Sequence, residues 1–330
     1  MEHWGRTAAG EEVVRLKLSA GGLTAHVISW GAVIQDLRLA GHAPPLVLGF
    51  ERFAPYPAES PYFGATAGRV GNRIAGSTFD LDGKTYRLPA NEGPNHLHGG
   101  PAGLGKRNWS VAAHDARSVT LQIVSPDGEM GYPGTMTARC HYELLEPATL
   151  RVALTAETDA PTLCNLIHHS YFNLDGSTDA RGHSLRIDAA RRTVIDAALI
   201  PTGEMADVAD TPYDFRAARR IADAGIKYDA NFCLADAPRD LTDVATLSAG
   251  SLAMHVATTE PGIQFYDGAK IAVASPGLDG RSYGAYAGLC LEPQRWPDAI
   301  HHAGFPSIVL RPGETYRQVS EFRFVQDGSI

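Results

Sequence analysis

The sequence predicts an all-β chain, one large antiparallel β-sandwich with few, short helices. Two observations carry this. Short runs of alternating or β-branched residues recur along the whole length. Turn formers punctuate them, with 34 glycines and 21 prolines, and no long amphipathic helical pattern intervenes. No linker, repeat or low-complexity stretch is visible. A single domain over residues 1–330 is therefore expected, a size that one β-sandwich can reach.

In chain order, Val13–Leu18, Leu23–Ser29 and Val33–Leu39 read as strands, separated by Gly21-Gly22 and Gly31. Residues Thr78–Tyr86 read as a hairpin about Asp82-Gly83. Val119–Val124, Thr135–Leu145 and Leu150–Thr155 follow. The middle one alternates cleanly, with Met136, Ala138, Cys140, Tyr142 and Leu144 on one face. Further strands are predicted at Ser184–Ile187, Thr193–Ala197, Leu252–Ala257, Gly262–Tyr266, Ile271–Ala274, Tyr286–Leu291 and Tyr316–Val325. Short helices are predicted at Arg216–Asp223 and Asp240–Leu247.

The net charge is −8, from 29 basic and 37 acidic residues. Nucleic acid and anionic membrane both need a basic face, so neither is expected as a main partner. Cys140, Cys164, Cys233 and Cys290 lie far apart without CxxC spacing, which predicts free thiols in a reducing compartment. Met1–Arg6 lacks a basic head with an apolar run, and no apolar stretch reaches the ~18 residues of a membrane span. A cytoplasmic protein is the simplest expectation.

Several polar groups sit where burial makes them costly. Apolar Leu289-Cys290-Leu291 leads into Glu292. A carboxylate at the end of a buried strand needs a partner or a task, and for one Glu alone a salt bridge is the commoner reason. His168 and His169 lie among apolar strand residues and, as neighbours, point to opposite faces. A strand histidine is more often a hydrogen-bonded core group, yet imidazole is also the side chain poised near neutral pH. His96 and His98 precede Gly99-Gly100, which argues for tight backbone rather than open loop. Asn72 and Arg73 set an amide beside a planar guanidinium, a pair able to bind several hydroxyls. Arg69 in the same string reads as structural. The Asp229 carboxylate can accept from two adjacent hydroxyls.

Taken in order, Gly68-Arg69-Val70-Gly71-Asn72-Arg73-Ile74, Leu97-His98-Gly99-Gly100, His169-Ser170-Tyr171-Phe172-Asn173-Leu174, Tyr228-Asp229-Ala230-Asn231-Phe232 and Leu291-Glu292-Pro293-Gln294 resemble the galactose mutarotase (aldose 1-epimerase) family. Pro261–Tyr266 and Ile200–Glu204 are family-like too. The resemblance spans roughly residues 20 to 325. It implies a sandwich of two concave antiparallel sheets with a sugar in the cleft of one face. It implies Glu292 as the base that takes the anomeric proton and His169 as the acid that protonates the ring oxygen. His98, Asn72, Arg73, Asp229 and Gln264 are implied as sugar ligands, with His96 a further candidate. Position 168 is His where the family usually has Asn.

The implied reaction interconverts the α and β anomers of a free aldose such as galactose or glucose, with no cofactor and no metal. Two relatives of that reading stay open. One is a hexose-6-phosphate 1-epimerase, for which Lys106, Arg107, Arg216, Arg219 and Arg220 are the available cations. The other is a carbohydrate-binding protein without turnover, against which Glu292 and His169 together argue. A metal enzyme is the rival from another class. His96-x-His98 resembles the cupin ligand pair, but no carboxylate follows in Gly99–Leu104.

Overall fold

The computed structural model describes residues 1–326. Three antiparallel sheets form its frame. The largest orders nine strands as Ser110–His114, Ser118–Ser125, Met136–Leu145, Thr149–Thr158, Tyr316–Gln326, Leu252–Thr258, Thr242–Ala249, Ser184–Ile187 and Arg219–Arg220. The second orders six as Tyr171–Phe172, Leu289–Gln294, Gly262–Tyr266, Asp229–Cys233, Arg191–Ile195 and Pro201–Asp207. The third has four strands within residues 2–39. This is the all-β fold the pattern predicts, with one short α-helix, Pro55–Glu59, among the described residues.

Alternation decides how the two larger sheets meet. Met136, Ala138, Cys140, Tyr142 and Leu144 are all buried, and join one apolar cluster with Phe172, Ile263, Phe265, Leu289 and Leu291 of the six-stranded sheet. Each of the Met, Leu, Ile and Phe side chains among them contributes about 1.5–3 kcal/mol on leaving water. The alternate residues Gln264, Glu292 and Gln294 belong to the opposite face of that sheet. They are buried as well, so this sheet has an apolar side and a polar side, both covered.

Some elements differ from the sequence reading. Asp240–Leu247 is not helical; Thr242–Ala249 is a strand. A bulge between Asp243 and Ala245 breaks its register, so buried Val244 and Leu247 fall three residues apart, a spacing that a helix also gives. Within Arg216–Asp223, Arg219–Arg220 pairs with Ser184–Leu185, and only a 3₁₀ turn, Ile221–Ala224, is helical. Ile271–Ala274 forms no strand, because the Glu59 carboxylate accepts from the backbone N–H groups of Ala274 and Ser275 that a ladder would use. The strand expected from Tyr286 starts at Leu289, since Tyr286 has φ 67°, outside the extended region. The strand expected at Thr193–Ala197 runs Arg191–Ile195. The hairpin about Asp82-Gly83 forms as expected. All four cysteines are free and buried. No helix among the described residues is long and apolar enough to cross a membrane.

Two short ladders carry the polar segments to the sheet's covered face. Ala65–Ala67 pairs with Ile167–His169, and Arg73–Ile74 with His96–Leu97. Arg69 anchors this region. Its buried guanidinium donates to Ser125 Oγ, Pro133 O, Thr162 Oγ1, Ser125 O and Pro126 O at 2.8–3.1 Å. Five donors are thereby satisfied, as a buried cation without a carboxylate partner requires. Gly99 then passes over Gly68 so closely that an added Cβ would lie 1.8 Å from the Gly68 carbonyl oxygen.

A pair of variants tests that close approach. Gly99 (φ 81°) and Gly83 (φ 78°) share the left-handed conformation, but a Cβ at Gly83 meets nothing within 4 Å. Gly83→Ala is expected to cost about 1–2 kcal/mol, and Gly99→Ala several-fold more, read by denaturant unfolding. Equal losses would show that the backbone contact at Gly99 is not tight.

Candidate active site

Glu292, His169, Asn72, Arg73, His98, Asp229 and Gln264 come together around one cleft of about 190 Å³. They arrive from six strands or turns, far apart in sequence. The register of the six-stranded sheet sets Glu292 directly opposite Gln264, and Gln264 opposite Asn231. His169 comes from the ladder alongside, opposite Ala65.

The Glu292 carboxyl and the His169 imidazole are the centre of this cleft. His169 Nε2 lies 3.6 Å from Glu292 Oε2, with side chains 5% and 3% exposed. His169 Nδ1 lies 3.5 Å from Cys290 Sγ. The ring is held between Tyr62 and Tyr171, nearly parallel to both at 5.9 and 5.1 Å between centroids. Burial pushes the imidazole down to about 4. Burial, aided by the charge of Asp229 and opposed by Arg73, pushes the Glu292 carboxyl well above its usual range. Both shifts favour the uncharged pair, carboxylic acid plus neutral imidazole, over the ion pair.

Around this pair sits a chain of amide and charged groups. Gln294 Nε2 donates to Gln264 Oε1 at 3.2 Å, and Gln264 Nε2 donates to Asp229 Oδ1 at 2.6 Å. Arg73 Nη2 lies 3.8 Å from Asp229 Oδ2. The Asn72 backbone N–H donates to His98 Nδ1 at 3.1 Å. That nitrogen is therefore an acceptor, and neutral His98 carries its proton on Nε2. Burial and the neighbouring His169 hold His98 well below the ordinary imidazole value. The result is a set of fixed donors and acceptors beside the Glu292–His169 pair.

His96 is not part of the cleft. It is fully buried, lies 2.8 Å from the Pro89 carbonyl through Nδ1, and packs 5.4 Å from the Tyr132 ring. As a strand neighbour of Leu97, which lines the cleft, it faces the other way. His168 also turns from the cleft. Its Nδ1 lies 3.2 Å from Tyr142 Oη, whose hydroxyl donates to Ala32 O, and its Nε2 lies 2.8 Å from Ser170 Oγ. Histidine here fills a polar niche in the core.

Sequence reasoning missed Glu92, Tyr62, Tyr171, Tyr266 and Lys270, which line the same cleft. Tyr171 and Tyr266 lie two residues beyond His169 and Gln264, so strand alternation could have found them. Glu92 and Lys270 come from loops and have no local signal. Arg107, Arg216, Arg219 and Arg220 do not line the cleft; Arg107 pairs with Glu129 and Arg216 with Asp214. For a metal, the ligand atoms of His169, Cys290 and Glu292 lie within 4.8 Å of one another. The nearest approaches use different ring nitrogens, Nδ1 to Cys290 and Nε2 to Glu292, so these rotamers do not aim three lone pairs at one point.

Buried His168 makes a stability prediction. Burial pushes it down to about 3, against about 6.5 in the unfolded chain. The native state then binds fewer protons in that interval. The stabilisation is complete above the unfolded value and is lost as pH falls towards the folded one. His168→Asn is expected to make unfolding free energy less steep in pH across that acid interval. An unchanged slope would mean His168 protonates freely in the fold.

Comparison with known proteins gives a consistent result. The family model for aldose 1-epimerase matches residues 14–323. Galactose mutarotase from Bos taurus is 39% identical over 323 residues, covering 94% of each chain. Aldose 1-epimerase from Escherichia coli (strain K12) is 33% identical over 324 residues, covering 93% of each. The crystal structure of an aldose epimerase homologue from C. elegans superposes with a TM-score of 0.90 at 30% identity, covering 95% of this chain and 99% of that one. Galactose 1-epimerase from Lactobacillus acidophilus NCFM gives a TM-score of 0.87 at 26% identity, covering 98% of each. The chain belongs to the aldose 1-epimerase, or galactose mutarotase, family, and its activity is that of an isomerase acting on a sugar.

Proposed function

We propose that the chain interconverts the α and β anomers of a free aldose, galactose or glucose first, through acid/base opening and closure of the ring. The supporting observation is the buried Glu292–His169 pair, 3.6 Å apart, with Asn72, Arg73, His98, Asp229 and Gln264 around it. Glu292 takes the proton of the anomeric hydroxyl while His169 gives its proton to the ring oxygen. The C1–O5 bond breaks as C1=O1 forms. Rotation about C1–C2 presents the other carbonyl face, and the same groups close the ring with roles reversed. Each placed proton transfer is worth about 10² to 10⁴ in rate, and holding the open chain adds an orientation effect.

The uncharged pair that burial favours is the state ring opening leaves behind, with the proton on Glu292 and none to spare on His169. Burial thus stabilises the complex of the open-chain aldehyde relative to the ion pair that starts the reaction. No step calls for a redox change or group transfer, so no cofactor and no metal is assigned. We read residues 1–330 as one domain working in the cytoplasm, with a small sugar as its partner rather than nucleic acid or membrane.

Polarimetry with pure anomers tests the assignment. Glu292→Gln and His169→Asn should each lower kcat by about 10²-fold or more, while His168→Asn stays within a few-fold of the natural chain. Near-normal mutarotation by folded Glu292→Gln would remove Glu292 from its role. Chelator should leave the rate unchanged; loss restored by added divalent metal would favour the metal reading.

The pH profile tests the shifted pair. Active enzyme holds one proton on the two groups together. The acid limb should therefore appear near the lowered His169 value, about 4, and the alkaline limb at the raised Glu292 value. With ordinary values the imidazole would set the alkaline limb, near 6.5; an alkaline limb that coincides with titration of the His169 ring would contradict the shifted pair.

A further inference from the structure

Glu92 is a cleft residue that the acid/base reading does not use. Its carboxylate takes two N–H groups of Arg73, Nε to Oε2 at 2.5 Å and Nη2 to Oε1 at 2.9 Å. This is the bidentate fork with which an arginine best binds a carboxylate or a phosphate. Arg73 is 7% exposed and Glu92 33% exposed, so the carboxylate sits between the buried cation and the open side of the cleft. The two residues hold each other charged. Burial alone would lower Arg73 and raise Glu92, and their pairing reverses both.

The carboxylate is also held in place by its backbone. The Glu92 N–H donates to Asn95 O and the Asn95 N–H to Glu92 O, at 3.1 and 3.0 Å. Asn95 Oδ1 accepts from the Gly76 N–H, and Asn91 Oδ1 from the Leu97 N–H, at 3.0 and 2.7 Å. The turn is thereby bound to the segment just after Arg73–Ile74 and to the strand just before His98. Glu92 is a preset internal anion in the seat an anionic ligand would take.

The charge balance gives this a consequence. Arg73 and Lys270 are the cations of the cleft, and Glu92, Asp229 and Glu292 its acids. Burial raises Asp229 and Glu292, so their surroundings work against the charged form. Glu92 is lowered instead, because its pairing with Arg73 outweighs burial. Without it, Arg73 Nε would lose its partner and Nη2 would keep only Asp229 Oδ2, at 3.8 Å, so an anion could enter the fork.

We propose that Glu92 is a specificity-determining residue: by occupying the Arg73 fork it makes the cleft reject phosphorylated and acidic sugars in favour of uncharged ones. The inference rests on the cleft binding a sugar, as proposed above, and assigns to this chain's own Glu92 a discrimination that the acid/base pair does not supply.

The test compares Glu92→Gln and Glu92→Ala with the natural chain on galactose, glucose, glucose 6-phosphate and glucuronate. Both variants are expected to lose some kcat/KM on the neutral sugars, because Arg73 is held less firmly. Both should raise the ratio of kcat/KM for charged over neutral sugar tenfold or more. Inorganic phosphate should become a competitive inhibitor of the variants at concentrations that leave the natural chain unaffected. A purely structural role would lower all four activities together and leave the ratio unchanged, which would overturn the proposal. A natural chain that turns over glucose 6-phosphate as well as glucose would overturn it too. Calorimetric titration with galactose and with phosphate reads the same exclusion without turnover. Gained phosphate binding in an inactive chain would therefore support the role of Glu92 while removing the mutarotase reading.

Discussion

A carboxyl and an imidazole held 3.6 Å apart and away from water set the terms for the rest of this molecule. In water the two would simply form an ion pair. Here burial disfavours both charges, so the pair is poised between a charged and an uncharged form that contain the same number of protons. In the proposed mechanism, ring opening moves it from the first to the second. The environment that makes the ion pair costly is the environment that favours the product of proton transfer, and no separate device is needed for each half of the reaction.

Such a pair can be buried only in a frame stable enough to carry the cost. The six-stranded sheet does this by dividing its faces. Leu289, Leu291, Ile263 and Phe265 join the apolar core, and the alternate positions of the same strands supply Glu292 and Gln264. The polar face is then closed by segments that are themselves pinned: His169 by the rings of Tyr62 and Tyr171, Asp229 by the amide relay from Gln294 and Gln264, Arg73 by Glu92. Arg69, spending all its donors on carbonyls and hydroxyls, ties the segment leading to Asn72 and Arg73 to the strands beneath. The groups that touch the cleft are preset, which is what orientation of a small flexible substrate requires.

Much of this was legible in the sequence, for identifiable reasons. Strands with strict alternation, such as Met136–Leu145, were readable because one face is core and the other is not. Glu292 and His169, the proposed base and acid, stood out because charged or polar residues inside apolar runs are costly, and because their strings match a known family. What stayed hidden depends on contacts remote in sequence. The bulge in Thr242–Ala249 made a strand look helical, and Glu59 took the backbone donors of the Ile271–Ala274 segment. His96 reads like His98 in the chain but faces the other way, since alternation separates neighbours and only the ladder with Arg73–Ile74 fixes which faces the cleft. Glu92 carries no local mark; its meaning comes from Arg73, nineteen residues away.

The most direct test of the central claim is the protonation state of His169 in the sugar-free protein. An NMR titration of its imidazole, assigned by difference from His169→Asn, reads it without turnover. The account predicts a neutral ring throughout the neutral range, gaining its second proton only near pH 4. An imidazolium that persists at neutral pH and disappears when Glu292 is replaced by Gln would contradict it, because the pair would then rest as an ion pair that burial does not disfavour.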